Sequence, residues 1–195
     1  PFDRVLMKAM QETMRYLCKN IQGCVFGYTQ SDEITLILID YQKLDSDAWF
    51  GYEVQKICSI SASMATMAFN RYFKELIEDC CMTDPRASFE TRNVYIDACE
   101  RGAMFDARCF NIPKEEVCNL IYWRQLDAIR NSIQMVGQAF FSSKELHGKS
   151  CNKILDMLHE EKNVNWHNFP IACQRGVACL KIAQRVNIAG TMDTI

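Results

Sequence analysis

Apolar residues recur at helical spacing through Phe2, Val5, Leu6, Ala9, Met10, Met14, Leu17 and Ile21, which predicts an amphipathic helix over residues 2–21. The period then shortens. Cys24-Val25-Phe26 leads into a polar stretch, and Ile34-Thr35-Leu36-Ile37-Leu38-Ile39 leads out of it as a nearly unbroken apolar run. Two strands joined by a hairpin turn are therefore expected. Helical periodicity returns between Trp49 and Glu78 through Val54, Ile57, Cys58, Met64, Met67, Ala68, Tyr72, Phe73 and Ile77. A strand is predicted from Met104 to Phe110, stopped by Pro113, and a long helix from Glu115 to Phe141. Ser142 or Ser143 caps a further helix through about Glu161, with Glu145 placed to complete the cap. Gly148 interrupts that span, so a start near Ser150 is the alternative. Residues 163–170 read as a loop and Ala172 to Val186 as a β hairpin or long strand.

Helix, hairpin, helix, strand is the order of a split βαβ unit of the ferredoxin-like type with its first strand missing, an α+β class. The right-handed crossover rule would place the absent strand beside the hairpin. The expectation is a chain truncated at its N-terminus, lacking a strand that its fold requires. No internal repeat, low-complexity tract or Gly/Ser linker interrupts the remainder.

Composition narrows the class without naming a function. Nearly half of the 195 residues are apolar, 49%, which is ample for a sizeable core. The net charge of −2 argues against a protein that binds nucleic acid over its whole surface. Charge is uneven, however: residues 1–100 hold 10 Lys/Arg and 15 Asp/Glu, while 101–195 hold 12 and 9. An acidic half joined to a mildly basic half suits metal chemistry beside a phosphate-bearing partner. The 11 cysteines show no C-x-x-C and no repeated spacing, and most fall on apolar positions, where Cys acts as a small hydrophobe. Neither a signal peptide nor a membrane-length apolar run is seen, and a cytoplasmic, thiol-reduced protein is the expectation. His159, His167 and Cys173 fit no common zinc spacing.

The candidate chemistry sits in the hairpin. Gly27-Tyr28-Thr29-Gln30-Ser31-Asp32-Glu33 places two adjacent carboxylates where two strands meet. Acidic residues form strands poorly, and a buried carboxylate must be paired or bound to metal. Asp32 and Glu33 are therefore either a solvated turn or a site for a hard cation. On the long helix, Asp127 and Arg130 are spaced to pair on one face, an ordinary surface salt bridge. The alternative is that Arg130, Asn131 and Arg175 line a phosphate site facing the carboxylate turn, with Lys56 reaching the same triphosphate.

Four motifs in order carry a resemblance. Gly27 to Glu33 before an apolar strand resembles the second metal-carboxylate motif of the histidine-tRNA guanylyltransferase family. Phe105-Asp106-Ala107-Arg108 is similar to that family's Phe-Asp-Gly/Ala-Arg strand, and Trp123-Arg124-Gln125 with Asp127 to its Trp-Arg-Gln-x-Asp helix. Gln174-Arg175-Gly176 is placed like the residues that open the family's last strand. The resemblance runs from about residue 1 to about residue 181. It implies a polymerase-like palm over residues 1–113, lacking its first strand, with a helical and β part over 114–195 packed on it.

The resemblance also implies an activity. Members add nucleotides to the 5′ end of tRNA in the 3′-to-5′ direction, using ATP and GTP as substrates and two Mg²⁺ ions. Asp32 would be a metal ligand and catalytic, and Glu33 would help shape the metal and nucleotide site. Ser31 would approach a phosphate, and Lys56 and Arg175 would contact triphosphate. A homo-oligomer, dimer or tetramer, is implied as well. Two departures matter. The family's Asp-Gly-Arg-Ala-Phe-His stretch, with the other metal carboxylate, is expected ahead of Pro1. And Ile129-Arg130-Asn131-Ser132-Ile133-Gln134 stands where eukaryotic members have His-Ile-Asn-Asn-Leu-Tyr-Asn. That variation resembles the bacterial and archaeal branch, and implies template-directed repair of tRNA 5′ ends rather than addition of a single G to histidine tRNA. A nucleotidyl cyclase on the same sheet, or a non-catalytic RNA-binding module, is the reading from another class.

Overall fold

A computed structural model describes residues 1–41, 44–80 and 88–182. Helix α1 spans Arg4–Asn20, with the Asp3 side chain capping its first turn through the Leu6 amide at 2.8 Å. Val5, Ala9, Met10, Met14, Leu17 and Cys18 are buried along one stripe of it, as the apolar spacing requires. Strands β1 (Cys24–Gln30) and β2 (Glu33–Leu38) form the antiparallel hairpin, with Gln30 opposite Glu33. Helix α2 begins at Val54, not Trp49, and runs to Cys80. The reason is local: Phe50, Gly51 and Tyr52 have φ of 52°, 57° and 64°, left-handed values that break a right-handed helix and leave a 3-10 turn over Trp49–Tyr52. Helix α3, Phe89–Arg101, follows, in a stretch that the apolar pattern left unassigned.

The strand predicted at Met104 to Phe110 does not form. Exposure still alternates along it residue by residue, as in a strand. Its inward side chains lie on α2 instead of a sheet: the Phe105 amide donates to the Thr66 hydroxyl at 3.0 Å, and the Phe105 and Phe69 rings stand 5.4 Å apart. Among the described residues no backbone hydrogen bond joins it to β2, so it has the pattern of a strand without a ladder.

Helix α4 spans Val117–Phe140. A capping box at Ser142 and Glu145 opens the one-turn α5, Ser143–Leu146, and α6 starts separately at Cys151, capped by Ser150, and ends at Lys162. The loop after it holds one 3-10 turn, Trp166–Asn168. In place of the hairpin or long strand expected from Ala172, a five-residue helix α7 (Ile171–Arg175) precedes a short strand β3 (Val177–Leu180). Pro170 opens that helix and Gly176, at φ 78°, closes it. Ala183 to Val186 lie outside the described residues.

The result is an α+β fold whose three-stranded antiparallel sheet has the order β2-β1-β3, its third strand coming from the C-terminal part. Helices α1 and α2 cover one sheet face through Met14, Leu17, Cys18, Ile21, Cys24 and Ala65. A second cluster joins α4 to α6 through Ile133, Val136, Ile154 and Leu158, closed by Trp166. The approach of α1 to β1 is set by Gly27, where an added Cβ would lie 2.4 Å from Cys18 Sγ and 2.9 Å from Met14 Cγ. Cys18, Cys24, Cys58, Cys99, Cys109, Cys118, Cys151, Cys173 and Cys179 are free thiols. A hydrogen bond with Cys24, together with burial, pushes the Cys18 thiol well above its ordinary range. No helix among the described residues is long and apolar enough to cross a membrane.

Candidate functional site

The hairpin turn is two residues long. Ser31 takes φ 50° and, with Asp32, forms the exposed tip between Gln30 and Glu33. Thr29 Oγ1 donates to the Glu33 carbonyl at 2.9 Å, which closes the tip. Glu33 Oε2 accepts from Gln30 Nε2 at 3.1 Å and is ion-paired with the Arg124 guanidinium of α4. Asp32 makes no hydrogen bond or salt bridge among the described residues and is the carboxylate presented to solvent.

A second element reaches the same end of the sheet. Val177 of β3 pairs with Thr29, so the Arg175-Gly176 corner abuts the end of β1 that carries the turn. Tyr28 fixes that corner: its buried phenol donates to the Arg175 carbonyl at 2.6 Å. At Gly176 an added Cβ would fall 2.5 Å from the Thr29 carbonyl oxygen and 2.7 Å from the Tyr28 hydroxyl, so only glycine fits. Burial raises the Tyr28 phenol above its ordinary range; the Arg124 charge pulls it back, and Asp127 pushes it up further. Behind the corner, buried Gln174 donates to the carbonyls of Phe169 at 2.6 Å and His167 at 3.3 Å. The Ser132 hydroxyl of α4 shares its proton between the Ile129 carbonyl at 2.9 Å and the Gln174 carbonyl at 3.4 Å, and accepts from Trp166 Nε1 at 3.2 Å. These bonds hold Arg175 with its side chain exposed.

The other sequence candidates are placed less directly. Arg130 pairs with Asp127 at 2.7 Å, the surface salt bridge its spacing allowed, and Asn131 reaches the same carboxylate at 3.5 Å. Lys56 lies in the first turn of α2, with its ammonium 4.8 Å over the Phe50 ring. No hydrogen bond or ion pair among the described residues links Lys56 to the hairpin. Arg124, which the sequence marks only as part of the Trp-Arg-Gln motif, is the α4 side chain ion-paired with the hairpin. Its signal was the Trp-Arg-Gln-x-Asp spacing, which puts Arg124 and Asp127 on one helical face.

The donor set is one of hard oxygens. Magnesium uses one or two carboxylates and completes its shell with water and substrate phosphates, and Asp32 beside Glu33 fits that demand. Among the described residues no group of three His, Cys, Asp or Glu gathers, so His159, His167 and Cys173 form no metal centre. Positive charge from Arg124 and Arg175 stands at the same sheet end, the sign a phosphate chain needs.

Known proteins resemble this chain in sequence and in fold. A curated relative, the uncharacterized protein R259 of Acanthamoeba polyphaga mimivirus, is 28% identical over 169 residues, 82% of this chain. The chain spans 56% of that relative's length. A bacterial tRNA(His) guanylyltransferase (Thg1)-like protein solved with ATP aligns at TM-score 0.78 and 40% identity, over 93% of this chain and 71% of that one. A bacterial protein of the same description solved with GTP aligns at 0.71 and 35%, over 95% and 68%. The tRNA(His) guanylyltransferase of Saccharomyces cerevisiae shares the fold, at TM-score 0.65 and 19% identity, over 97% of this chain and 80% of that one. The family pattern described as Thg1, tRNAHis guanylyltransferase, matches residues 1–113. With that match over more than half its length, the chain belongs to the tRNAHis guanylyltransferase family.

Proposed function

We propose that this protein is a nucleotidyltransferase that extends tRNA 5′ ends in the 3′-to-5′ direction, with the nucleotide chosen by base pairing across the acceptor stem. The observation that carries the reading is Asp32, an unpaired carboxylate at the tip of a hairpin, at the same sheet end as Arg124 and the Arg175-Gly176 corner. An acidic tip alone would repel phosphate; flanked by two arginines and able to take Mg²⁺, it accepts one. Magnesium held by Asp32 would neutralise charge on the transferring phosphoryl group. Arg175 binds the triphosphate of an ATP or GTP substrate, and Ser31 contacts a phosphate at the tip. The 3′-hydroxyl of the incoming nucleotide attacks the α-phosphorus of the activated 5′ end of tRNA, and as the new phosphodiester forms the bond to the leaving group, AMP or pyrophosphate, breaks. A ferredoxin-like palm is the framework this chemistry uses, with its catalytic part within residues 1–113 and the described residues that follow, 114–182, packed on it. The bacterial relatives solved with ATP and GTP support the choice of substrates.

Asp32→Ala in the full-length protein should lower both 5′-activation and nucleotide transfer by about 10³-fold or more. Near-normal transfer would move the site elsewhere. The second reading, addition of one G to histidine tRNA, is favoured by the description of the matched family. Two truncated tRNAs of different identity, each offered the four nucleoside triphosphates separately, decide between them. Restoration of the complementary base on both supports repair. Addition of G alone, on histidine tRNA alone, whatever base stands opposite, supports the second.

A further inference from the structure

On the outer face of the helical layer, α1 and α2 enclose a groove of about 340 Å³ lined by Arg15, Tyr16, Lys19, Asn20, Arg71 and Tyr72. Its lining holds three cations, two phenol rings and no carboxylate. The Arg71 guanidinium lies 4.5 Å from the Tyr72 ring centre and 5.6 Å from that of Tyr16, tying the two aromatics together across the helices. Arg15 pairs with Glu12 at 2.8 Å and Arg71 reaches Glu75 at 3.8 Å, contacts that leave other donors of each five-donor fork free. Lys19 makes no salt bridge among the described residues and is exposed. The same exposed face of α1 continues through Lys8 to Arg4. At 1.5 Å per residue, Arg4 to Lys19 is a row of four cations about 22 Å long, with one carboxylate, Glu12, between Lys8 and its partner Arg15. It stands in the half of the chain that is acidic overall.

This groove is remote from the hairpin tip. Lys19 and Asn20 lead straight into Gly23 and the start of β1, whereas Ser31 and Asp32 follow its end. Seven strand residues at about 3.3 Å each separate the two by about 20 Å. A phosphate held in the groove therefore cannot belong to a nucleotide reacting at Asp32. A linear row of cations with interleaved aromatics suits a polyanion whose bases or sugars can lie on a ring face. We propose that the α1–α2 groove is a second contact for RNA, binding backbone phosphates of the tRNA body while its 5′ end lies at the hairpin. The proposal rests on the reading of tRNA as substrate.

The test is binding of fluorescein-labelled full-length tRNA to the full-length protein, by anisotropy across a salt series, with a fluorescent GTP analogue measured in parallel. Lys19→Ala with Arg71→Ala should weaken tRNA binding about tenfold or more and flatten the log Kd against log salt slope by about 1–2. Binding of the GTP analogue should not change. Lys19→Glu, a charge reversal at an exposed position, should act in the same direction, with its melting temperature checked alongside. If the unmodified protein binds tRNA and these variants match it in affinity and slope, the groove assignment falls while the tRNA reading stands. If the unmodified protein binds no tRNA, both fall. Variants that keep tRNA affinity but lose binding to phosphatidylserine vesicles would overturn RNA in favour of a membrane surface.

Discussion

Arg124 of α4 and Glu33 of β2, separated by 91 residues of chain, form an ion pair at the mouth of the hairpin. The pair fastens the long helix to the turn and occupies Glu33, so that Asp32 is left as the open carboxylate. Their side chains are 29% and 53% exposed, which keeps the energetic value of the contact modest. A double-mutant cycle with Arg124→Gln and Glu33→Gln should give a coupling of about 1 kcal/mol or less in thermal unfolding. Transfer should suffer more than stability, because either change frees its partner to compete for metal or phosphate. Wild-type transfer in both single variants would reduce the pair to a surface tether.

Arg175 and Arg130 differ in how free each guanidinium is to meet a phosphate. Arg175 has an exposed side chain on a braced backbone, whereas Arg130 is already held by Asp127 at 2.7 Å. Arg175→Ala should raise the KM for nucleotide or triphosphorylated tRNA and leave stability within about ±0.5 kcal/mol. Arg130→Ala should move KM less. Lys56→Ala tests the weaker assignment, since its ammonium lies over Phe50. Earlier melting with unchanged kinetics would make any of these side chains structural.

The hairpin, α1 and α4 were legible because each has a period that burial enforces: α1 buries Val5, Ala9, Met10, Met14 and Leu17 at helical spacing, and β1 and β2 meet at a polar two-residue turn. Failures came where a pattern is necessary but not sufficient. Residues 104–110 alternate like a strand, yet a strand exists only with a hydrogen-bonded neighbour, which no local pattern encodes. Pro170 and Gly176 punctuate a short helix that a β-rich composition hid. Within the candidate site, Asp32 stands out locally as a carboxylate in a polar turn and Arg175 as a cation before a glycine. The Arg124–Glu33 pair and the Tyr28 bond to the Arg175 carbonyl join residues 91 and 147 apart, and follow only from the packed fold.

Tyr28→Phe tests the brace under Arg175. Losing a buried hydrogen bond to a carbonyl that stays unsatisfied costs about 1–3 kcal/mol. The phenol's ionisation is raised by burial above its ordinary value of 10.0. A raised value means that its contribution is complete below pH 10 and is lost as pH climbs through the folded value. Wild-type protein should therefore lose stability above about pH 10 more steeply than Tyr28→Phe, measured by denaturant melts across that range. Parallel alkaline curves would mean that Tyr28 does not ionise within the fold.

Gly27 sets the distance between α1 and the sheet, and so the placement of the strand that carries the turn. An added methyl would meet Cys18 Sγ at 2.4 Å and Met14 Cγ at 2.9 Å, both buried in the same cluster and unable to swing into solvent. Gly27→Ala should cost about 1–3 kcal/mol, the usual penalty for overpacking. Shortening the nearer obstacle should relieve it: Cys18→Ala combined with Gly27→Ala should be more stable than the sum of the two single losses. The recovery should be partial, because the Met14 contact persists. Chemical denaturation of the four proteins measures the coupling directly. Strict additivity would mean that α1 already stands off β1, and that the hairpin is held by its ladder alone.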